Sequence, residues 1–196
     1  MDIQQILKTS FNSVIDEFRG VSPSGPTHRK MSSAWVESLS DSFRAYYQDD
    51  QSIRVFSKGN DENIRDFGVN ELLYDILVCR VASVTSAKHG KVLYYVSEAI
   101  WQIESELAKD SRQALLDFNK LVLGSAINKL FIGPLVQDPY SFIEVLLPAA
   151  RFCNGDVYLS LIPHPESWYD DYDEKSSIRV WKLGEDWLEV DTLISA

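Results

Sequence analysis

The chain has 196 residues, 45% of them hydrophobic and 12% aromatic. That composition suits a globular protein with a sizeable core and excludes a disordered or fibrous one. The net charge of −10 argues against a surface that is one continuous nucleic-acid platform, although metal-binding carboxylates and an acidic loop can carry such a sum in a nuclease.

Residues 2–19 carry Ile3, Ile6, Leu7, Phe11, Val14, Ile15 and Phe18 at helical spacing with one wet face. This segment is amphipathic and lacks a basic leader region, so no signal peptide is expected and the chain reads as cytoplasmic. Gly20 ends the helix, and Val21 to Thr27 reads as a turn-rich loop. The basic cluster His28-Arg29-Lys30 follows. A second helix is predicted from Ser32 or Ser33 to Tyr47, with Trp35, Val36, Leu39, Phe43, Tyr46 and Tyr47 on its apolar side and Glu37 near its first turns. Ile53 to Ser57 is a short strand, and 58–70 a polar loop. Glu71 to Val84 is apolar and β-branched enough for a strand covered on both faces, interrupted by Asp75.

After a turn at Lys88-His89-Gly90, a strand begins at Lys91 and runs through Trp101-Gln102-Ile103-Glu104-Ser105-Glu106-Leu107. Asp110 or Ser111 caps a helix that ends near Leu123, with Gly124 at its C-terminus. Lys129 to Leu135 is a strand that Pro134 terminates. Ser141 to Ala150 is a short helix, and Asp156 to Ile162 a strand. The longest apolar run, Phe142 to Ala150, contains Glu144 and Pro148 and is far shorter than the roughly 18 residues of a membrane helix, so no membrane partner is expected. The stretch Glu166 to Glu174 holds five acids and reads as a solvated loop carrying Trp168, Tyr169 and Tyr172. Ile178 to Leu183 and Trp187 to Val190 form a terminal hairpin. Cys79 and Cys153 sit in apolar, strand-like runs as buried free thiols. The three histidines, His28, His89 and His164, are scattered in loop-like settings and read as ordinary.

The sharpest chemical signal is the strand with acids at every second position. Gln102, Glu104 and Glu106 share one face, while Trp101, Ile103 and Leu107 share the other. Side-by-side carboxylates on a central strand repel each other and resist burial. If the strand bearing Asp75 is the hydrogen-bonded neighbour, Asp75, Glu104 and Glu106 can converge on a hard divalent cation such as magnesium or manganese. Glu37 can add a fourth carboxylate, and Lys120 on the following helix can steady a water or a phosphate.

Helix with Glu, strand, strand with Asp, strand with paired acids, helix, strand: over residues 32–135 this order resembles the core of the PD-(D/E)xK, restriction-endonuclease-like nucleases. The resemblance makes Asp75 the first acid and Glu104 the second, with Glu37 similar to a helical acid found in part of the family. Glu106 stands where the pattern has lysine. Some members carry Glu there, and others supply the lysine from the neighbouring helix, the position of Lys120. Tyr74 replaces the motif proline, and Gln102 with Glu104 is an alternative register for the pair. The resemblance implies a metal-dependent nuclease acting on DNA, with Asp75, Glu104, Glu106 and Lys120 catalytic and Asp75, Glu104, Glu106 and Glu37 holding Mg or Mn. It also implies a homodimer, and Arg29, Lys30, Lys58, Arg65 and Arg112 as the candidate DNA-binding cations.

The fold expected is α/β: a mixed central β-sheet flanked by helices in one domain over 1–196. A restriction-endonuclease-like core would occupy about 32–135, followed by a C-terminal extension over about 136–196 with its β-hairpin. Plainer readings stand beside the sharp ones. Glu104 and Glu106 fit an exposed strand face, Asp75 a strand-end acid or an ion pair with Arg80 or Arg65, and Glu37 and Lys120 a solvated surface. With the fold kept and catalysis lost, the chain is an inactive, nuclease-like binding or regulatory module that works through protein–protein contacts; with the acids on the surface, it is a small interaction protein of unrelated α+β fold.

Overall fold

The structure, a computed structural model, describes residues 1–19, 25–168 and 178–190. Helix α1 (Ile3–Phe18) is started by Asp2, whose carboxylate accepts from the Gln4 and Gln5 amides at 3.0 and 3.2 Å. It buries Leu7, Phe11 and Val14. Helix α2 (Gly25–Tyr47) starts well before Ser32. Pro26 is its second residue, where a missing N–H costs nothing. The basic cluster His28-Arg29-Lys30 is therefore helical, and of the expected loop only 25–27 is described. Met31, Trp35, Leu39 and Phe43 recur every fourth residue and are fully buried.

Strand β1 (Ile53–Ser57) leads to a single 3-10 turn and the short helix α3 (Ile64–Phe67), then to strands β2 (Ile76–Thr85) and β3 (Val92–Ser105). Helix α4 (Ser111–Leu123), strand β4 (Asn128–Pro134), helix α5 (Pro139–Ala150) and strand β5 (Asp156–Ile162) follow, and strands β6 (Arg179–Leu183) and β7 (Trp187–Glu189) close the described chain. The seven strands lie in chain order in one mixed sheet. β1, β2 and β3 form an antiparallel meander, β3, β4 and β5 are parallel, and β5, β6 and β7 are again antiparallel. Parallel neighbours need crossovers, which α4 and α5 provide on a single face of the sheet.

The result is an α/β architecture of three layers. On one face α1 and α2 pack on Ile76, Val78, Trp101, Ile103, Leu130 and Ile132. On the other, α4 and α5 press Phe118, Leu121, Phe142 and Leu146 against Leu77, Phe131, Leu159 and Leu161. β4 is buried almost throughout, as a parallel strand between two helical layers should be. Lys129 lies wholly inside it. Its ammonium donates to the Leu121 and Gly124 carbonyls at 2.7 and 2.8 Å, capping the C-terminus of α4.

Several expectations change. β2 begins at Ile76, so Asp75 stands just before the strand and does not interrupt it. Leu72-Leu73-Tyr74 looks like strand in sequence, but Leu73 has φ of 63° and is 86% exposed, and Tyr74 N–H turns back to the Leu72 carbonyl at 2.7 Å. β2 is covered on both faces only over its first four residues, and beyond Cys79 it emerges with β3 as a two-stranded ribbon. Trp168 is 1% exposed, not solvated. It packs edge-on against Phe11 at 5.3 Å, and its indole donates to the Pro163 carbonyl. Tyr169 and Tyr172 lie outside the described residues. Cys79 is buried in β2, whereas Cys153 is half-buried in the turn after α5. No helix among the described residues is long and apolar enough to cross a membrane.

Candidate functional site

The antiparallel register of β2 on β3 sets Ile76 against Ile103, so the next step brings Asp75 beside Glu104. Asp75 Oδ2 accepts from the Ser105 backbone N–H at 2.8 Å, which pins the carboxyl to the end of β3. Alternation along β3 sends Trp101 and Ile103 to the α1/α2 layer. Gln102 and Glu104 go to the α4 side, both buried. Lys120 reaches back from the last turn of α4 and places Nζ 3.0 Å from Glu104 Oε2. It also meets Asp117, one helical turn earlier, at 2.9 Å. Glu106, one residue past β3, accepts from the Ala108 N–H at 2.6 Å and shares a hydrogen bond with the Asp117 carboxyl.

The structure thus gathers Asp75, Glu104, Glu106 and Lys120, and adds Asp117. Sequence reading passed over Asp117, although its place three residues before Lys120 on one helix face was the available signal. The cluster holds more acid than base, and burial makes that costly. Burial, then the Asp75 charge, pushes the Glu104 carboxyl up to about 8, with Lys120 offsetting only part of the rise. Burial also raises Asp75, against the Ser105 N–H and Lys120. It raises Glu106 too, helped by Asp117 and opposed by the Ala108 N–H. For Lys120, burial pulls downward, but the hydrogen bonds and charges of Asp117 and Glu104 win and hold the ammonium above the ordinary lysine range.

Above the carboxyls, Tyr74 and Gln102 fill the space over Gly124, where a methyl group would collide with the Tyr74 hydroxyl and the Gln102 carboxamide. Gln102 Nε2 donates to the Ser125 carbonyl at 3.2 Å. Gln102 Oε1 and Glu104 Oε1 are buried with no hydrogen-bond partner among the described residues. Two orphaned acceptors on one strand face are unusual in a folded interior.

No family model matches the chain, and neither a curated protein nor a solved structure matches it.

On its other side Asp75 borders a cleft of about 680 Å³ between α2 and the ends of β1 and β3. Glu37 and Glu106 line it with Asp75, and so do the cations Arg29 and Lys58. Glu37 is exposed and rests against Gly59, where an added Cβ would lie 3.2 Å from its carboxyl carbon. Of the other candidate cations, Arg65 pairs with Asp66 at 3.0 Å, and Lys30 and Arg112 are exposed and outside the cleft lining. The cleft also brings His28 and His164 together, ring centroids 6.4 Å apart. These two stand far apart in sequence, and no local pattern announces their meeting. Among the described residues no group of three or more His, Cys, Asp or Glu side chains is arranged to hold a metal ion.

Proposed function

We propose that the chain is a divalent-metal-dependent nuclease that hydrolyses DNA phosphodiester bonds at Asp75, Glu104 and Lys120, in a restriction-endonuclease-like core. The observation that carries this reading is the contact of Lys120 with Glu104 beside Asp75. Two acids and a lysine meet at the end of a meander that continues through a helix into a parallel strand, which supports the reading with the lysine supplied from the helix.

The donor set suits magnesium or manganese, which prefer hard oxygens and bind through one or two carboxylates plus substrate phosphates more often than through an all-protein cage. Asp75 and Glu104 would be that pair, and Glu104 Oε1, buried with no hydrogen-bond partner among the described residues, is a hard oxygen suited to such an ion. A bound cation would supply Lewis-acid polarisation of the phosphodiester. Lys120 would neutralise charge on the phosphoryl oxygens. Arg29 and Lys58 would hold flanking phosphates along the cleft. Glu106, tied to Ala108 and Asp117, would act beside the pair, and Glu37 would face it across the cleft.

Calorimetric titration with magnesium and manganese tests the site: the wild type binds and Asp75→Ala does not. Metal-dependent cleavage of plasmid or single-stranded DNA should fall at least about 100-fold in Glu104→Ala, as for loss of groups that hold a metal. Absence of binding in the wild type removes the chemical basis of the nuclease. One observation favours a second reading, an inactive nuclease-like module working through protein contacts. Glu37, Glu71 and Glu106 crowd the same cleft as Asp75 against Arg29 and Lys58, and that acid excess repels a phosphate backbone. Metal binding without cleavage of any DNA would select this module.

A further inference from the structure

Among the described residues, the distal halves of β2 and β3 form a ribbon that no other strand completes. β1 pairs only with Ile76–Arg80 of β2, and β4 only with Trp101–Ser105 of β3. On its outer edge β3 meets its first backbone partner at Ala99, whose carbonyl accepts from Ile127 N–H at 3.0 Å. Before that point, among the described residues, the edge from Val92 to Glu98 offers its backbone groups to no strand. Natural sheets usually blunt such an edge with charge, proline or a bulge. Here Val92-Leu93-Tyr94-Tyr95-Val96 has none of these, and all five side chains are 38–55% exposed.

We propose that this edge binds a second copy of the chain, β3 against β3 in antiparallel pairing about Tyr94, joining two sheets into one. A two-fold axis can only place a residue opposite itself, since a half-step would turn the pleats against each other. The uncharged, regular stretch has Tyr94 at its middle, so this register pairs Tyr94 with itself, Leu93 with Tyr95 and Val92 with Val96. Each is an aromatic or β-branched combination of the kind that stabilises a ladder.

Charge supports the same register. The pairing with β2 passes from Val96–Val81 to Glu98–Arg80, so Ser97 is an extra residue that the ladder skips. Counted in ladder positions, Glu98 stands as far from Tyr94 on one side as Lys91 does on the other. Self-pairing therefore sets Lys91 of each copy against Glu98 of the other, twice by symmetry. Glu98 already has a partner in Arg80, but at 3.8 Å with both side chains nearly half exposed, so it remains within reach of a second cation. The chain carries −10 overall, yet no acid occurs between Ile76 and Ser97, so the ribbon is where two copies approach with least repulsion. This surface lies at the far end of the strands from Asp75 and Glu104 and does not depend on the nuclease reading.

Sedimentation equilibrium of the full chain over a concentration series gives the test. The wild type should reach twice the 22.3 kDa of one chain. Tyr94→Lys and Tyr94→Glu, each with unchanged far-ultraviolet circular dichroism, should stay at one chain's mass, and an equimolar mixture should regain the double mass. Lys91→Glu, which alters only an exposed charge and should not disturb folding, should weaken self-association about tenfold. Adding Glu98→Lys should restore it. A wild type that stays at one chain's mass overturns the proposal and leaves the edge to a different partner. A dimer that survives in folded Tyr94→Lys, a mixture that stays monomeric, or a charge reversal without effect overturns it equally.

Discussion

The two ends of the β2–β3 pair invert each other. Where β2 begins and β3 ends, charged groups lie inside: Glu104 is 1% exposed, against Asp75 and Lys120. Where β2 ends and β3 begins, apolar side chains lie outside, Val84, Leu93 and Tyr95 among them. Both ends break the rule that apolar groups go in and charges stay out. The difference lies in what surrounds them. The charged end sits between helical layers and is held by named hydrogen bonds. Among the described residues, the apolar end has no layer over it beyond α3, where Phe67 approaches Tyr94 at 5.9 Å.

The contrast can be broken by substitution, beginning with the largest effect. Ile103→Ala, in the buried half of β3, should cost about 2–5 kcal/mol of unfolding free energy by denaturant titration, because it opens a cavity between the sheet and α1/α2. Gly124→Ala should cost about 1–3 kcal/mol, since the new methyl displaces the Tyr74 hydroxyl and Gln102 from above the carboxyls.

A pH series sharpens the charged end. Glu104 is raised to about 8 in the folded chain and returns to an ordinary carboxylate near 4.3 when unfolded. The folded state therefore holds the extra proton between those values. Stability from this group is full below about 4 and falls as pH climbs to 8. Thermal melts of the wild type should decline over pH 5–8 and those of Glu104→Gln should decline distinctly less. Asp75 and Glu106 add in the same sense and remain in both proteins. His164, lowered by burial and Lys109, works in the opposite sense and is common to both proteins. The smallest effect belongs to the ribbon: Val84→Thr should change folding stability by less than about 0.5 kcal/mol in the same denaturant titration.

Much of the architecture was legible because its signals are local. The stripes of α1 and α4, the caps at Asp110 and Gly124, and the span of β5 follow from spacing and end chemistry. Alternation along β3 was equally readable, and it separates Ile103 from Glu104 as expected. What failed depended on tertiary surroundings. Val81 and Val84 in the ribbon read as covered on both faces, because β-branched residues make strands whether or not a layer covers them. Leu72 and Leu73 read as strand because a left-handed leucine leaves no mark in sequence. Asp117 joined the cluster only once α4 had docked on β3. His28 and His164 met only when α2 was laid over the end of β5.

Lys129 adds a consequence for the order of assembly. The last carbonyls of α4 are satisfied by an ammonium that arrives on the next strand. The carbonyls left open at the end of that helix, just past Lys120, gain this partner only when β4 has entered the sheet. Helix end and strand should then open and close as one cooperative unit, and their amides should exchange with solvent at a common rate. The chain would present Lys120 to Glu104 only after the sheet around them is complete.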